Sequence, residues 1–143
     1  MYLVKSPFFL KKYYANFIWK IPTTEKIIYL TFDDGPTEVL LPWILDFLQK
    51  EKIQATFFCV GENAKNFPEL MQRMLKEGHA IGNHTMHHNK GSKTSRSNYL
   101  DSVDEANQYV SSHLFRPPYG RMPMYFFNHI AKKYKVVMWS WLS

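Results

Sequence analysis

An α/β fold of parallel strands, arranged as a barrel, is the architecture this sequence predicts, and three observations predict it. From Lys26 onward short apolar runs alternate with amphipathic segments, the strand-then-helix order that builds parallel sheets. The run Ala55-Thr56-Phe57-Phe58-Cys59-Val60 is apolar with no alternation, as suits a strand covered on both faces. Three polar clusters each follow directly on an apolar run, and the carboxyl ends of strands are where such folds gather their chemistry.

Taken in order, residues 26–32 read as the first strand. Thr37 to Lys50 reads as a helix with Leu40, Leu41, Ile44, Leu45 and Leu48 on one face; Pro42 falls in its early turns, where proline costs least. Residues 54–60 are the buried strand. Pro68 to Lys76 is a helix stopped by Gly78, and 79–82 is a short strand. Tyr99, Val103, Ala106 and Val110 mark a helical stripe within 97–112. Leu114-Phe115 reads as a strand, Met124 to Lys132 as a helix, and Lys135 to Trp139 as a fifth strand. No repeat or low-complexity tract interrupts the pattern.

A chain of 143 residues is expected to form one domain, and it can bury about two-thirds of its unfolded surface. Its hydrophobic share of 45% and charged share of 21% exclude a disordered chain. The net charge of +6 permits an anionic partner, but Lys and Arg are scattered and no nucleic-acid motif accompanies them, so no nucleic-acid partner is expected. The single cysteine, Cys59, excludes an internal disulfide and reads as an inert core thiol. No window has the 18 or so apolar residues of a spanning helix. Residues 1–22 form an amphipathic segment, with Phe9, Leu10, Tyr13, Tyr14, Phe17 and Ile18 at helical spacing between lysines. Packing against the domain of residues 23–143 is the first expectation, and lying on a membrane surface is the alternative. The segment has neither the apolar core nor the cleavage site of a secretory signal, which leaves a cytoplasmic or cell-envelope location open. A monomer is expected.

The first cluster is Thr31-Phe32-Asp33-Asp34-Gly35-Pro36. Adjacent carboxylates repel, and a cation that takes one as a ligand leaves the other free as a base. The second is Asn83-His84-Thr85-Met86-His87-His88, in which His84 and His88 are spaced to share one face of a helical turn and to bind a common metal. His87, between them, should point elsewhere. The third is Phe115-Arg116-Pro117-Pro118-Tyr119-Gly120, where two prolines stiffen the loop and aim the Tyr119 amide as an oxyanion donor. Arg116 is suited to hold a carboxylate in place.

These three stretches, in this order, resemble the motifs of the polysaccharide deacetylases, the NodB-homology domain or carbohydrate esterase family 4. Ala55-Thr56-Phe57-Phe58 and Gly78-His79-Ala80-Ile81-Gly82 resemble that family too, and the likeness runs from about Lys26 to the last residue. The resemblance implies a distorted (β/α) barrel and metal-dependent removal of acetyl groups from the N-acetylated sugars of a glycan. It implies Asp34, His84 and His88 as ligands of a divalent metal, usually Zn2+, with Co2+, Mn2+, Fe2+ and Ni2+ compatible with the same donors. Asp33 would be the base, Arg116 its partner, and the Tyr119 amide part of the oxyanion site.

The family pattern also contains a fourth motif with aspartate and tryptophan, and a fifth, Leu-x-His, whose histidine protonates the leaving amine. Met138-Trp139-Ser140-Trp141-Leu142-Ser143 resembles the entry to the fourth. The expectation is a barrel incomplete at its C-terminal side, with a bare strand edge and much reduced activity. A sugar- or metal-binding protein without catalysis is the alternative. His113 and His129 are not promoted to the missing acid.

Overall fold

The computed structural model describes the backbone of residues 8–141 and the side chains of residues 11–141. Five parallel strands, β1 (Thr31–Gly35), β2 (Thr56–Cys59), β3 (Ala80–Asn83), β4 (Leu114–Phe115) and β5 (Lys135–Val136), lie side by side in chain order. Helices connect them: α1 (Phe8–Tyr13) precedes β1, and α2 (Leu40–Glu51), α3 (Gly61–Asn66), α4 (Pro68–Lys76), α5 (Arg96–Val110) and α6 (Met124–Ile130) follow in turn. The sheet does not close on itself, so the fold is an incomplete, distorted barrel of parallel α/β type. Among the described residues no helix is long and apolar enough to cross a membrane.

The strand and helix order follows the pattern of the sequence, with differences that have local causes. The first strand starts at Thr31, not at 26, because β2 begins at Thr56 and offers 26–30 nothing to pair with beyond a Thr56 N–H to the Leu30 carbonyl. Ile27, Ile28 and Tyr29 are exposed there. The fifth strand is two residues long, since β4 beside it has only two. Helix α3 was not foreseen; its six residues are too few to show a period.

The core lies on two sides of the sheet. Leu41, Leu45 and Leu48 of α2, with Met71 and Met74 of α4, bury Phe57 and Cys59 of β2. Phe58, between those two, points to the opposite face, so β2 is apolar on both faces as its lack of alternation requires. Burial, with a smaller effect from Asp33, pushes the Cys59 thiol up to about 12, which fits an inert core group. On the other side Tyr99, Val103, Phe115, Phe126, Tyr14 and Phe17 form the second cluster. Tyr14 and Phe17 thus bury against the domain, whereas the side chains of Phe9 and Leu10 lie outside the described residues.

The edge of β5 is not bare. Ile18 forms a parallel bridge with Val137, donating to the Val136 carbonyl at 2.8 Å and accepting from the Met138 amide at 2.8 Å. The expected open edge is therefore partly capped by the segment around Ile18.

Candidate active site and metal centre

Each of the three clusters sits at the carboxyl end of a strand, on one rim of the sheet. In a regular strand Asp33 and Asp34 would point to opposite faces. Here the β1–β2 register slips between Asp33 and Gly35, and Asp34 takes a left-handed backbone with φ 68°, so the chain turns between the two carboxylates. Asn63 of α3 holds this bend, donating from Nδ2 to the Asp34 carbonyl at 2.8 Å.

His84 follows β3, and its ring is 2% exposed. Residues 84–88 do not form the helical turn that their spacing suggested; they make a bend in which Thr85 and His88 have positive φ. Side chains impose this shape. Asn83 donates to the Val103 carbonyl and accepts the Thr85 amide at 2.9 Å, and Ser102 of α5 receives the Met86 amide on its carbonyl and its Oγ, each at 3.0 Å. The Ser102 hydroxyl also donates to Asn89 Oδ1. His87 points outward to Glu62, as expected of the residue between two ligands.

The bend brings His84 Nε2 to 3.4 Å and His88 Nε2 to 3.1 Å from Asp34 Oδ1, and one ligand atom from each residue lies within 4.8 Å of the others. His84 Nδ1 lies 2.6 Å from the Arg116 carbonyl, which can only accept, so Nδ1 carries the hydrogen. In the neutral ring, Nε2 then presents a lone pair toward Asp34. Burial holds the His88 imidazole below its usual pKa, which favours the neutral ring that a metal needs. His84 beside it is the largest influence on Asp34 and lowers its pKa, against a smaller opposing effect of burial. Two imidazole nitrogens and a carboxylate oxygen, all electron-pair donors, therefore converge on one spot, and this donor set fits a divalent cation.

Arg116 follows β4 and is 2% exposed at its side chain. Its Nη1 donates to Asp33 Oδ1 at 2.6 Å and to Thr31 Oγ1 at 2.9 Å, while Nε and Nη2 reach the carbonyls of Val137 and Met138. The guanidinium is stacked 4.0 Å from the centre of the Phe58 ring. Gly82 on β3 is required beside it, because a side chain there would collide with Phe58. Tyr119 lies in a turn at Pro118–Gly120 with φ 60°, and its exposed ring packs 4.6 Å from that of His88. Thr31, Asn63 and Ser102 support the site without having been singled out for it. Ser102 had a signal, as a polar residue beside the apolar stripe of α5.

A parallel sheet with a carboxylate pair, two histidines and an arginine on its carboxyl rim defines the class of the protein. A family model described as polysaccharide deacetylase matches residues 20–139, and the chain belongs to that family. More particularly, it is 41% identical over 129 residues to a peptidoglycan-N-acetylglucosamine deacetylase of Bacillus cereus, covering 86% of this chain and 61% of the relative. It is 36% identical over 139 residues to the peptidoglycan-N-acetylmuramic acid deacetylase PdaA of Bacillus subtilis, covering 92% of this chain and 52% of the relative. The chain thus spans 52–61% of the length of these two curated relatives. The crystal structure of the Bc1960 peptidoglycan N-acetylglucosamine deacetylase superposes with a TM-score of 0.82 at 32% identity, covering 92% of this chain and 64% of that one.

Proposed function

We propose that the chain hydrolyses the acetamide of N-acetylated sugars in a cell-wall glycan, releasing acetate and leaving a free amine. The observation that carries this reading is the convergence of Asp34, His84 and His88 beside an Asp33 already bound by Arg116. The relatives named above act on N-acetylglucosamine or N-acetylmuramic acid, and either sugar presents the same acetamide. Asp34, His84 and His88 would hold a divalent cation, Zn2+ before Co2+, Mn2+, Fe2+ or Ni2+. When bound, such a cation polarises a carbonyl and brings the pKa of water down to about 7.

The chain's own groups do the rest. Arg116 occupies Asp33 Oδ1 and fixes the carboxylate, leaving Oδ2 to take a proton from the water that attacks the acetamide carbon. The Tyr119 amide, aimed by Pro117 and Pro118, donates to the oxygen on which charge develops. As the carbon–nitrogen bond breaks, the amine nitrogen needs a proton. Asp33, having taken a proton from the attacking water, can pass it to that nitrogen, so the step balances.

The test is acetate release from N-acetylglucosamine oligomers and from peptidoglycan fragments by the zinc-loaded chain. Asp33→Asn should cut release at least about 100-fold while retaining zinc. Asp34→Ala should lose the metal. Zinc bound without any acetate released would instead favour a non-catalytic binding protein.

A further inference from the structure

Behind His88 the rim carries a stack that the hydrolytic steps do not use. The Tyr119 ring packs on the His88 ring at 4.6 Å, and Lys90 Nζ lies 5.6 Å from the centre of the same Tyr119 ring. Lys90 is held there by its backbone. Its carbonyl accepts the Lys93 amide and the Thr94 hydroxyl, each at 2.9 Å, and closes the turn at Gly91–Lys93. On one side Asn89 is tied by its amide to Thr85 Oγ1 and by its side chain to Ser102. On the other, Gly91 packs on Met122 and Pro123 so closely that a Cβ would stand 3.0 Å from the proline ring. Only the flexible end of the lysine is left to move.

The charged groups nearest the histidines have partners. Asp33 is bound to Arg116, Asp34 faces both histidines, and Glu62 faces His87. Among the described residues no carboxylate comes within 4.0 Å of Lys90 Nζ. Lys90 therefore presents an ammonium with no carboxylate partner among the described residues, held over an exposed aromatic face, next to the place where the acetamide must sit. A sugar ring lying against Tyr119 would bring its substituents to that ammonium.

We propose that Lys90 is a specificity-determining residue that reads a carboxylate on the glycan, so that the preferred substrate is an acidic N-acetylated glycan and not a neutral one. This rests on the glycan reading of the site given above. The carboxylate belongs either to the sugar that carries the acetamide, as the lactyl ether of N-acetylmuramic acid does, or to a substituent of the neighbouring sugar. Lys90 makes no contact with the reacting atoms, so its effect appears in binding and KM more than in kcat. The pair it forms with substrate is exposed to solvent, so the preference weakens as salt rises.

The experiment measures the affinity of the zinc-loaded, full 143-residue chain for three oligomers of equal length. These are an all-N-acetylglucosamine oligomer, a peptide-free alternating N-acetylglucosamine–N-acetylmuramic acid oligomer, and the latter with its lactyl carboxylates converted to amides. Wild type should bind the acidic oligomer about tenfold more tightly than either neutral one, an ordinary contribution for a charge-assisted contact. In Lys90→Gln that ratio should fall to about one, in Lys90→Arg it should largely persist, and raising salt should erode it in wild type alone. An oligomer with a carboxylate only on the sugar next to the reducing-end N-acetylglucosamine separates the two positions of the acid group. Equal affinity for acidic and neutral oligomers in wild type overturns the proposal. So does an unchanged ratio in Lys90→Gln, or no binding of any oligomer. Because affinity is read without turnover, an absence of acetate release would count against the deacetylase reading and leave this result standing.

Discussion

Arg116, at the end of β4, ties β1 to the residues after β5 through one side chain, and so much of the site depends on it. Its donors satisfy Asp33, Thr31 and the carbonyls of Val137 and Met138 at once, from a position almost closed to water. Burial pulls its pKa down and Asp33 opposes that, which is the signature of a buried ion pair kept by its partners. Lysine carries the charge but cannot span these acceptors. Arg116→Lys should therefore cost about 3 kcal/mol in urea denaturation, the range for a broken buried pair. It should also reduce acetate release, by loosening Asp33, more than it reduces zinc affinity. His79 offers a second residue-scale test. Its Nδ1 accepts the Ala55 amide in a buried position, and Glu77 and Arg73 are the charged groups facing it. Burial, the largest cause, lowers its pKa, with Glu77 opposing and Arg73 assisting. The folded state therefore binds a proton less readily than the unfolded chain. Stability is complete above the unfolded pKa of about 6.5 and is lost as pH falls from there through the depressed folded value. Between pH 7.5 and 5.5 the urea midpoint of wild type should fall, and His79→Asn should make that fall shallower; equal slopes would contradict the assignment.

At the scale of elements, helix α5 shapes the loop that carries the candidate metal ligands His84 and His88. The loop of residues 84–89 has two residues with positive φ, and Ser102 fastens both its Met86 and its Asn89. Removing the hydroxyl leaves the ligands intact but loosens His88 against His84. Ser102→Ala should lower zinc affinity about tenfold, the low end for groups that support metal ligands, measured by competition with a chelator. The helix content should not change. This clamp marks the limit of what could be read from the chain. The strand–helix alternation and the unalternating β2 made the sheet legible, because burial on both faces leaves its trace in composition. Asp33, Asp34, His84, His88 and Arg116 were legible because each stands where an apolar run ends. The bend at 84–88 was not legible. A four-residue histidine spacing fits a helical turn equally well, and the partners that choose the bend, Asn83 and Ser102, act through side-chain bonds that periodicity does not encode. The start of β1 was hidden for a similar reason: Ile27-Ile28-Tyr29-Leu30 has strand composition, but a strand needs a partner and β2 begins too late to supply one.

Across the whole molecule, the open sheet has two different edges. Before β1 Ile28 is exposed, and on α2 the rings of Trp43 and Phe47 stack in solvent. At the β5 edge Ile18 pairs with Val137, Tyr14 donates its hydroxyl to the Met122 carbonyl at 2.8 Å, and Phe17 enters the core cluster beside Phe127. The Val137 and Met138 carbonyls, at and next to the Ile18 bridge, are the acceptors of Arg116. The segment around Ile18 therefore packs behind the carbonyls that hold the arginine. Phe17→Ala should cost about 3 kcal/mol, as for a buried phenylalanine whose space cannot collapse, and lower the melting temperature by on the order of 10 °C. Asp34, His84 and His88 hang from β1 and β3, away from that edge, so zinc affinity should change much less than Arg116-dependent acetate release. Differential scanning calorimetry with and without zinc, alongside acetate release, separates the two effects. An unaltered melting temperature would mean that the segment decorates the sheet without stabilising it, and a proportional loss of zinc affinity would mean that the two edges are mechanically one.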